Sequence, residues 1–327
     1  MYVVTGGAGF IGSNLVAQLA QRGDEVVVVD WLRADDRWRN LAKHEIVDVI
    51  TPEALSAWLE RNAQAVTAIV HMGANSSTTE TDVELMFRQN ARATLDLLQW
   101  CTRSGKRFIY ASSAATYGDG SAGFDDDPGP EALARLRPLN AYGWSKHVVD
   151  RRIARLVQQG GGLPVQCTGL KFFNVYGPNE YHKGAMQSVI ARNFAAVRRG
   201  EPLRLFRSHR SDYADGGQLR DFIYVRDCVD VILWLLDNPH VSGLFNVGSG
   251  AARSWLDLAH ALFSASEQPP LIEFIDMPAQ LLDKYQYFTQ ARVTRLRQAG
   301  YRQAFTTLEA GIEDYVRNYL LRTDRYR

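Results

Sequence analysis

Apolar and polar positions in the first half of the chain alternate between two rhythms. Residues 2–5 (YVVT), 25–30 (EVVVVD), 68–71 (AIVH) and 107–111 (RFIYA) are short, largely β-branched runs that read as buried strands. Between them, residues 11–22 place Ile11, Leu15 and Leu19 at helical spacing, and residues 83–103 read as a further helix. Alternation of this kind predicts βαβ units, a parallel sheet and right-handed crossovers. Residues 119–138, rich in Asp, Gly and Pro, predict a loop, and residues 142–158 a helix ended by Gly160, Gly161 and Gly162. A strand is expected over 165–173, a helix near 186–199 and a polar loop over 207–219. Residues 222–226 and 244–247 look like strands rejoining the sheet, and the tail beyond about 250 is helical and mixed. No internal repeat or low-complexity tract interrupts the pattern.

Composition narrows the class. A length of 327 residues suits two packed units, and 46% hydrophobic with 22% charged residues is ordinary globular usage. Lys and Arg total 37 against 36 Asp and Glu, a net charge of +1, which argues against a nucleic-acid partner but leaves room for a small anionic ligand. Cys101, Cys167 and Cys228 are scattered and form no CxxC pair, so neither a disulfide framework nor a metal site is expected, and a reducing cytoplasm fits. The first residues, MYVVTGGAGFIGSN, lack the basic start and long apolar run of a signal peptide. No segment reaches the ~18 apolar residues that span a bilayer, so no membrane partner is expected.

Two motifs carry chemistry. Gly6, Gly9 and Gly12 form GxxGxxG between a strand and a helix, where a backbone turning tightly beneath a helix N-terminus can hold a pyrophosphate. Asp30 ends the second strand, where a ribose-binding acid belongs; a tight turn with an exposed capping acid is the plain alternative. Asp30 favours NAD, whereas Arg33, Arg37 and Arg39 could neutralise the 2′-phosphate of NADP or simply face water, so these residues leave the two cofactors open. Tyr142 and Lys146 stand four apart on one helical face, and Ser112 and Ser113 follow a strand. A tyrosine of pKa ~10 is a poor base alone. A lysine ammonium and a nicotinamide cation would stabilise the tyrosinate, and Ser113 would hold the same substrate oxygen. An amphipathic helix surface is the plain reading of YxxxK by itself.

With these residues in order, the chain resembles the extended short-chain dehydrogenase/reductase superfamily through TGGAGFIG at the start, SSAATYG at 112–118, YGWSK at 142–146, FFNVYGP at 172–178 and RDFIYVRD at 220–227. The resemblance implies an α/β fold, a Rossmann-like doubly wound parallel sheet with a smaller α/β C-terminal substrate domain. The division it suggests is 1–171 with 221–249 for NADP and 172–220 with 250–327 for a nucleotide sugar. Dehydratases of the superfamily carry Asp-Glu after the catalytic hydroxyl residue; here Ala114 and Ala115 follow Ser113, which argues against elimination.

Residues 71–80 (HMGANSSTTE), 139–146 (LNAYGWSK), 171–186 (KFFNVYGPNEYHKGAM) and 285–291 (YQYFTQA) further resemble the ADP-L-glycero-D-manno-heptose 6-epimerase family. On its own, His182-Lys183 reads as an exposed loop pair; the resemblance makes Lys183 a second base opposite Tyr142. The implied reaction converts ADP-D-glycero-β-D-manno-heptose to its L-glycero epimer at C6 through a 6-keto sugar, for lipopolysaccharide inner-core synthesis. It implies tightly held NADP rather than NAD, with Arg37 at the 2′-phosphate, and a homo-oligomer, a pentamer by that resemblance. Cofactor contacts carried over are Gly6, Gly9, Phe10, Ile11, Gly12, Asp30, Trp31, Met72, Gly73, Ala74, Asn75, Ser76, Asn90, Val175 and Lys183, besides Arg37, Tyr142 and Lys146. Ser113, Asn174, Ala185, Arg192, Phe206, Arg220 and Tyr285 should meet the sugar nucleotide, although Arg220 beside Asp221 could form an internal ion pair instead. Family members can carry Cys at the place of Asn75 and Ser at that of Ala185, and the 207–219 loop is longer than in some of them. The competing readings are another nucleotide-sugar epimerase or reductase, such as a UDP-hexose 4-epimerase-like enzyme, and a non-enzymatic redox sensor. His71 is expected to be a packed structural residue.

Overall fold

The computed structural model describes residues 1–278, 282 and 285–327. Seven parallel strands form the main sheet: β1 (Tyr2–Thr5), β2 (Val26–Val29), β3 (Asp48–Ile50), β4 (Ala68–His71), β5 (Arg107–Ser113), β6 (Cys167–Phe172) and β10 (Gly243–Val247). Their order is β10-β6-β5-β4-β1-β2-β3. The β-branched runs work here because both faces are covered. Val4, Val28 and Val70 pack against α1 (Phe10–Gln21) and the helix Val225–Asp237. On the opposite face, Val3, Val27, Val29 and Ile69 pack against the helices Pro52–Asn62 and Ala93–Ser104. Successive residues of one strand therefore serve different layers, the period-two rule of a pleated strand. Chain crossovers leave β1 toward β2 on one side and β4 on the other, which opens a crevice at the carboxyl ends of these strands.

The remaining strands build smaller sheets. β7 (Asn174–Tyr176) and β9 (Leu219–Tyr224) run parallel, and β11 (Ala252–Ser254) is antiparallel to β9. β8 (Leu203–Phe206) pairs with β12 (Ile272–Ile275). A separate core joins Ile190, Leu203, Leu205, Phe222, Leu258, Leu262, Ile312 and Tyr315. Of the two late strands expected to rejoin the main sheet, only the one near 244–247 does so; the FIYVR segment ends its strand at Tyr224 and pairs in the three-stranded sheet. The expected helix over 83–103 contains a π-helical segment, Phe87–Arg92, between Val83–Met86 and Ala93–Ser104. Such bulges cluster at functional sites, and this one carries Asn90. Among the described residues no helix is long and apolar enough to cross a membrane.

Candidate active site

The first wall of the crevice is the glycine turn. Gly6 has φ +64°, and a Cβ there would lie 2.6 Å from the Gly73 nitrogen; a Cβ on Gly12 would lie 2.1 Å from the Gly6 oxygen. Only hydrogen fits at either place, so the turn can bring its backbone against a ligand. α1 begins after Gly9 with no side chain capping it, which leaves N–H groups of its first turn available to an anion. Beneath the turn, His71 shares hydrogen bonds with Thr5 Oγ1 (2.6 Å) and Thr94 Oγ1 (2.9 Å). Thr94 donates its own proton to the Asn90 carbonyl, so the ring donates from Nε2 and accepts at Nδ1. Burial and the nearby Lys146 push its pKa down to about 3, which keeps it neutral. This is the packed structural role expected of His71.

Asp30 is almost fully buried, and its carboxylate accepts from the Ala8 N–H (3.0 Å) and the Trp31 N–H (2.8 Å). Burial raises its pKa, and Arg37 opposes the rise from 3.6 Å. Arg37 also grips Asp35 through Nε and Nη2 at 2.9 Å. Met72, Gly73, Ala74, Asn75 and Ser76 continue the wall after β4. Asn90 lies behind them, where its side chain accepts from the Asn75 N–H (2.8 Å) and donates to the Asn75 carbonyl (2.9 Å).

The opposite wall carries the candidate reacting groups. The helix Ala141–Gln158 is capped by Asn140, which accepts from the Gly143 N–H at 2.8 Å. Gly143 packs so tightly that a Cβ would lie 2.6 Å from the Ala115 oxygen. That contact sets Tyr142 beside the turn that starts at Ser113, the end of β5. Burial raises the Tyr142 pKa, and a hydrogen bond with Ser113 lowers it. Lys146 is only 2% exposed, yet its Nζ has no hydrogen-bond partner. Burial pushes its pKa down to about 8 against the pull of Asp150. An unpartnered buried ammonium calls for acceptors such as ribose hydroxyls. Together with the glycine cradle it shows that these residues fit a dinucleotide.

A buried ion pair underpins this wall. Lys171 Nζ lies 3.3 Å from Asp150 and donates to Thr116 Oγ1 at 2.6 Å. Asp150 also accepts from Ser112 Oγ (2.7 Å) and Tyr110 Oη (3.1 Å).

Lys183 comes from the 3-10 turn Tyr181–Met186, and its Nζ lies 5.1 Å from the centre of the Phe10 ring. Burial lowers its pKa, opposed by Glu180. The neighbouring His182 is pushed down to about 4 by burial and by Arg37.

Tyr142, Lys146, Ser113 and Lys183 therefore line one cleft of about 1260 Å³ with Gly6, Gly9, Phe10, Ile11, Gly12, Asp30, Trp31, Arg37, residues 72–76 and Val175. The other expected substrate residues stand outside that lining. Arg220 lies over the rings of Tyr285 (5.0 Å) and Trp255 (5.9 Å), and Phe206 meets Tyr285 edge-on at 6.2 Å. Arg192 donates to the Ala185 carbonyl at 3.4 Å, and Asn174 is exposed at the start of β7. Arg220 does not pair with Asp221, which instead accepts from the backbone of Ser249, Gly250 and Ala291. Sequence reasoning missed Phe173, His182 and Met186 in the cleft and Trp255 in the aromatic cradle. His182 could have been found from its place beside Lys183; Trp255 had no local signal. Among the described residues no group of His, Cys, Asp or Glu is arranged to hold a metal ion.

Residues 2–248 match the model of the NAD dependent epimerase/dehydratase family. The chain is 50% identical to an ADP-L-glycero-D-manno-heptose-6-epimerase of Nitratidesulfovibrio vulgaris, covering 100% of both chains. It is 43% identical to the enzyme of that name from Fusobacterium nucleatum, again over 100% of both. Among solved structures it is similar to the Helicobacter pylori ADP-L-glycero-D-manno-heptose-6-epimerase, with a TM-score of 0.75 and 27% identity over 97% of this chain and 95% of that one.

Proposed function

The chain belongs to the NAD dependent epimerase/dehydratase family, and on that premise we propose that it inverts C6 of the heptose in ADP-D-glycero-β-D-manno-heptose to give the L-glycero epimer. The observation that carries this reading is the meeting of Tyr142 and Lys183, far apart in sequence, on one cleft beside the glycine turn. When bound, a nicotinamide supplies an acceptor for the C6 hydride and gives the hydride back to the other face of the resulting 6-keto sugar. Inversion needs the ketone to present both faces, so its oxygen must find a proton partner in two places. Tyr142 serves one epimer, with Ser113 holding the same oxygen and Lys146 stabilising the tyrosinate. Lys183 serves the other, and its burial favours the neutral form that a base requires. Ala114 and Ala115 after Ser113 supply no acid–base pair for eliminating water.

For the cofactor we favour NADP. Both Asp30 oxygens are held by backbone N–H groups, and Arg37 stands beside them on the cleft. The cradle of Phe206, Arg220, Trp255 and Tyr285 offers stacking and positive charge to the nucleotide end of the substrate, and Arg192, Ala185 and Asn174 are read as further substrate contacts. On this reading residues 1–171 with 221–249 hold the cofactor and the remainder holds the substrate. Three buried free thiols fit a cytoplasmic enzyme. Exposed Val83, Leu139 and Trp144 fit a homo-oligomer, which light scattering would count.

The test is direct. Purified protein is given the D-glycero substrate, C6 configuration is followed by NMR, and bound cofactor is identified by mass. Conversion to a mixture of epimers, with co-purified NADP, is the expected result. Bound cofactor without interconversion of the ADP-heptose would overturn the assignment, and turnover of UDP-hexoses instead would favour the 4-epimerase-like alternative.

A further inference from the structure

The Tyr181–Met186 turn that carries Lys183 is held on one side by its own neighbourhood: Gln187 Nε2 donates to the Tyr181 carbonyl at 2.5 Å, Arg192 to the Ala185 carbonyl at 3.4 Å, and the Tyr181 ring lies 6.5 Å from that of Tyr315. Tyr181, His182, Lys183 and Met186 are half-buried, Gly184 and Ala185 are exposed, and Gly184 breaks the turn at φ 54°. A second set of contacts comes from residues 325–327. Tyr181 donates its hydroxyl to the Arg325 carbonyl at 2.8 Å; the Arg325 guanidinium lies 4.3 Å from the same ring, and Tyr326 meets that ring edge-on at 5.4 Å. The Arg327 N–H donates to Asn179 Oδ1 (3.0 Å), and its guanidinium to Asn14 Oδ1 (3.2 Å).

The same segment, with Asp324, reaches the cofactor side. Lys43 pairs with Asp324 (2.8 Å) and donates to the Tyr326 carbonyl (2.6 Å), and Arg39 lies 5.9 Å from the Tyr326 ring. Arg39 belongs to the turn Asp36–Asn40 that carries Arg37. Asn40 ties that turn to the glycine turn by donating to the Ala8 carbonyl (2.8 Å), and Asn179 donates to Ser13 Oγ in α1 (3.0 Å). Residues 324–327 thus bridge three pieces that share no continuous element: the second-base turn, the Arg37 turn and the first turns of α1.

We propose that residues 324–327 are a positioning strap that locks the Lys183 turn onto the dinucleotide clamp, so that cofactor retention and the Lys183 half of the reaction both depend on it. This rests on the reading of the cleft as a dinucleotide site with Lys183 as second base. Charge and stacking, rather than burial of a large apolar area, hold the strap, so individual side chains should matter. Tyr326 acts through its ring and its carbonyl, and no partner is used by its hydroxyl among the described residues.

Two kinds of variant test the strap: a chain ending at 323, and Tyr326→Ala beside Tyr326→Phe in the full chain. NADPH release is followed by its fluorescence after mixing with excess NADP. Hydride transfer from each purified C6 epimer is followed separately in a single turnover. Truncation and Tyr326→Ala should each speed cofactor release about tenfold or more and slow transfer from one epimer more than from the other. Tyr326→Phe should match the parent in both. Release within twofold of the parent in Tyr326→Ala, or equal loss for both epimers, overturns the strap, and Tyr326→Ala decides the matter if the truncated chain does not fold. A parent that binds neither NADPH nor NADH would instead overturn the dinucleotide reading itself.

Discussion

Replacing Lys146 by Met should stabilise the fold and disable the enzyme. Lys146 is 2% exposed, its Nζ has no partner, and burial takes its pKa from 10.5 to about 8. A fall of this size corresponds to about 3 kcal/mol, at ~1.4 kcal/mol per pKa unit, that opposes folding while the lysine is charged. The sign follows from proton counting. Between the two pKa values the unfolded chain binds more protons than the folded one, so the parent gains stability as pH rises. Below about 8 the whole penalty is present, and above 10.5 it is gone. Methionine keeps the length and the apolar stem without the ammonium. At about pH 7 and with nucleotide stripped, Lys146→Met should therefore be about 3 kcal/mol more stable, or about 4 °C in Tm for a chain of this size. The gap should narrow steadily as pH climbs from 8 toward 10. Epimerisation should fall ~10²–10⁴-fold, because the tyrosinate loses its cationic neighbour. Urea unfolding across that pH range gives the stability difference, and NMR of C6 gives the rate. A variant less stable than the parent at pH 7, or a gap that ignores pH, would refute the account of Lys146 as a strained, unsatisfied charge.

Other substitutions separate the remaining roles. Lys183→Met should abolish single-turnover hydride transfer from one C6 epimer while sparing the other, Tyr142→Phe should do the reverse, and rapid-mixing absorbance of the reduced nicotinamide reads both; identical defects would remove the two-base scheme. Arg37→Ala should raise the Kd for NADP by about tenfold or more and leave that for NAD within twofold, measured by calorimetry, since a bidentate phosphate partner is lost. Asp150→Asn should cost about 3–5 kcal/mol in urea unfolding, because it leaves the buried Lys171 charge without its counterion; a loss under 1 kcal/mol would show that the pair is not needed.

Much of this site was legible because its signals are local. The glycine triplet, Asp30 and the Tyr142–Lys146 spacing each need only a strand end or a single helical turn, and the fold places them as their spacing says. Residues that depend on distant partners were not legible. Trp255 opens a helix far from Arg220 and meets it because β11 pairs with β9. The FIYVR run has the apolar pattern of a main-sheet strand, and nothing within it reveals that β7 and β11 are its neighbours. The π-helical segment is likewise hidden, since one extra residue in a turn barely disturbs helical periodicity. Lys183 is the instructive case. One lysine on a polar turn has no period and no obligatory neighbour, so its candidacy came from resemblance, while its place over Phe10 came from the fold.

The two proposed bases are mounted differently, and the difference suits the chemistry. Tyr142 sits on a helix of 18 residues whose start is pressed against Ala115 and whose next turns are anchored by the Asp150–Lys171 pair. Its position relative to the proposed nicotinamide site is fixed by packing that a substrate cannot easily shift. Lys183 sits on a short, half-buried turn with a glycine kink, held by a few hydrogen bonds and ring contacts. An epimerase must receive the same carbon in two orientations. If both bases were rigid, the cleft would have to fit two substrate poses with equal fidelity. A rigid base for one pose and a flexible lysine stem on a tethered turn for the other relaxes that demand. It also explains why the tether should matter: without it the turn gains freedom at the moment when Lys183 must meet the ketone oxygen, and the entropy of ordering it is added to the barrier of one half-reaction alone.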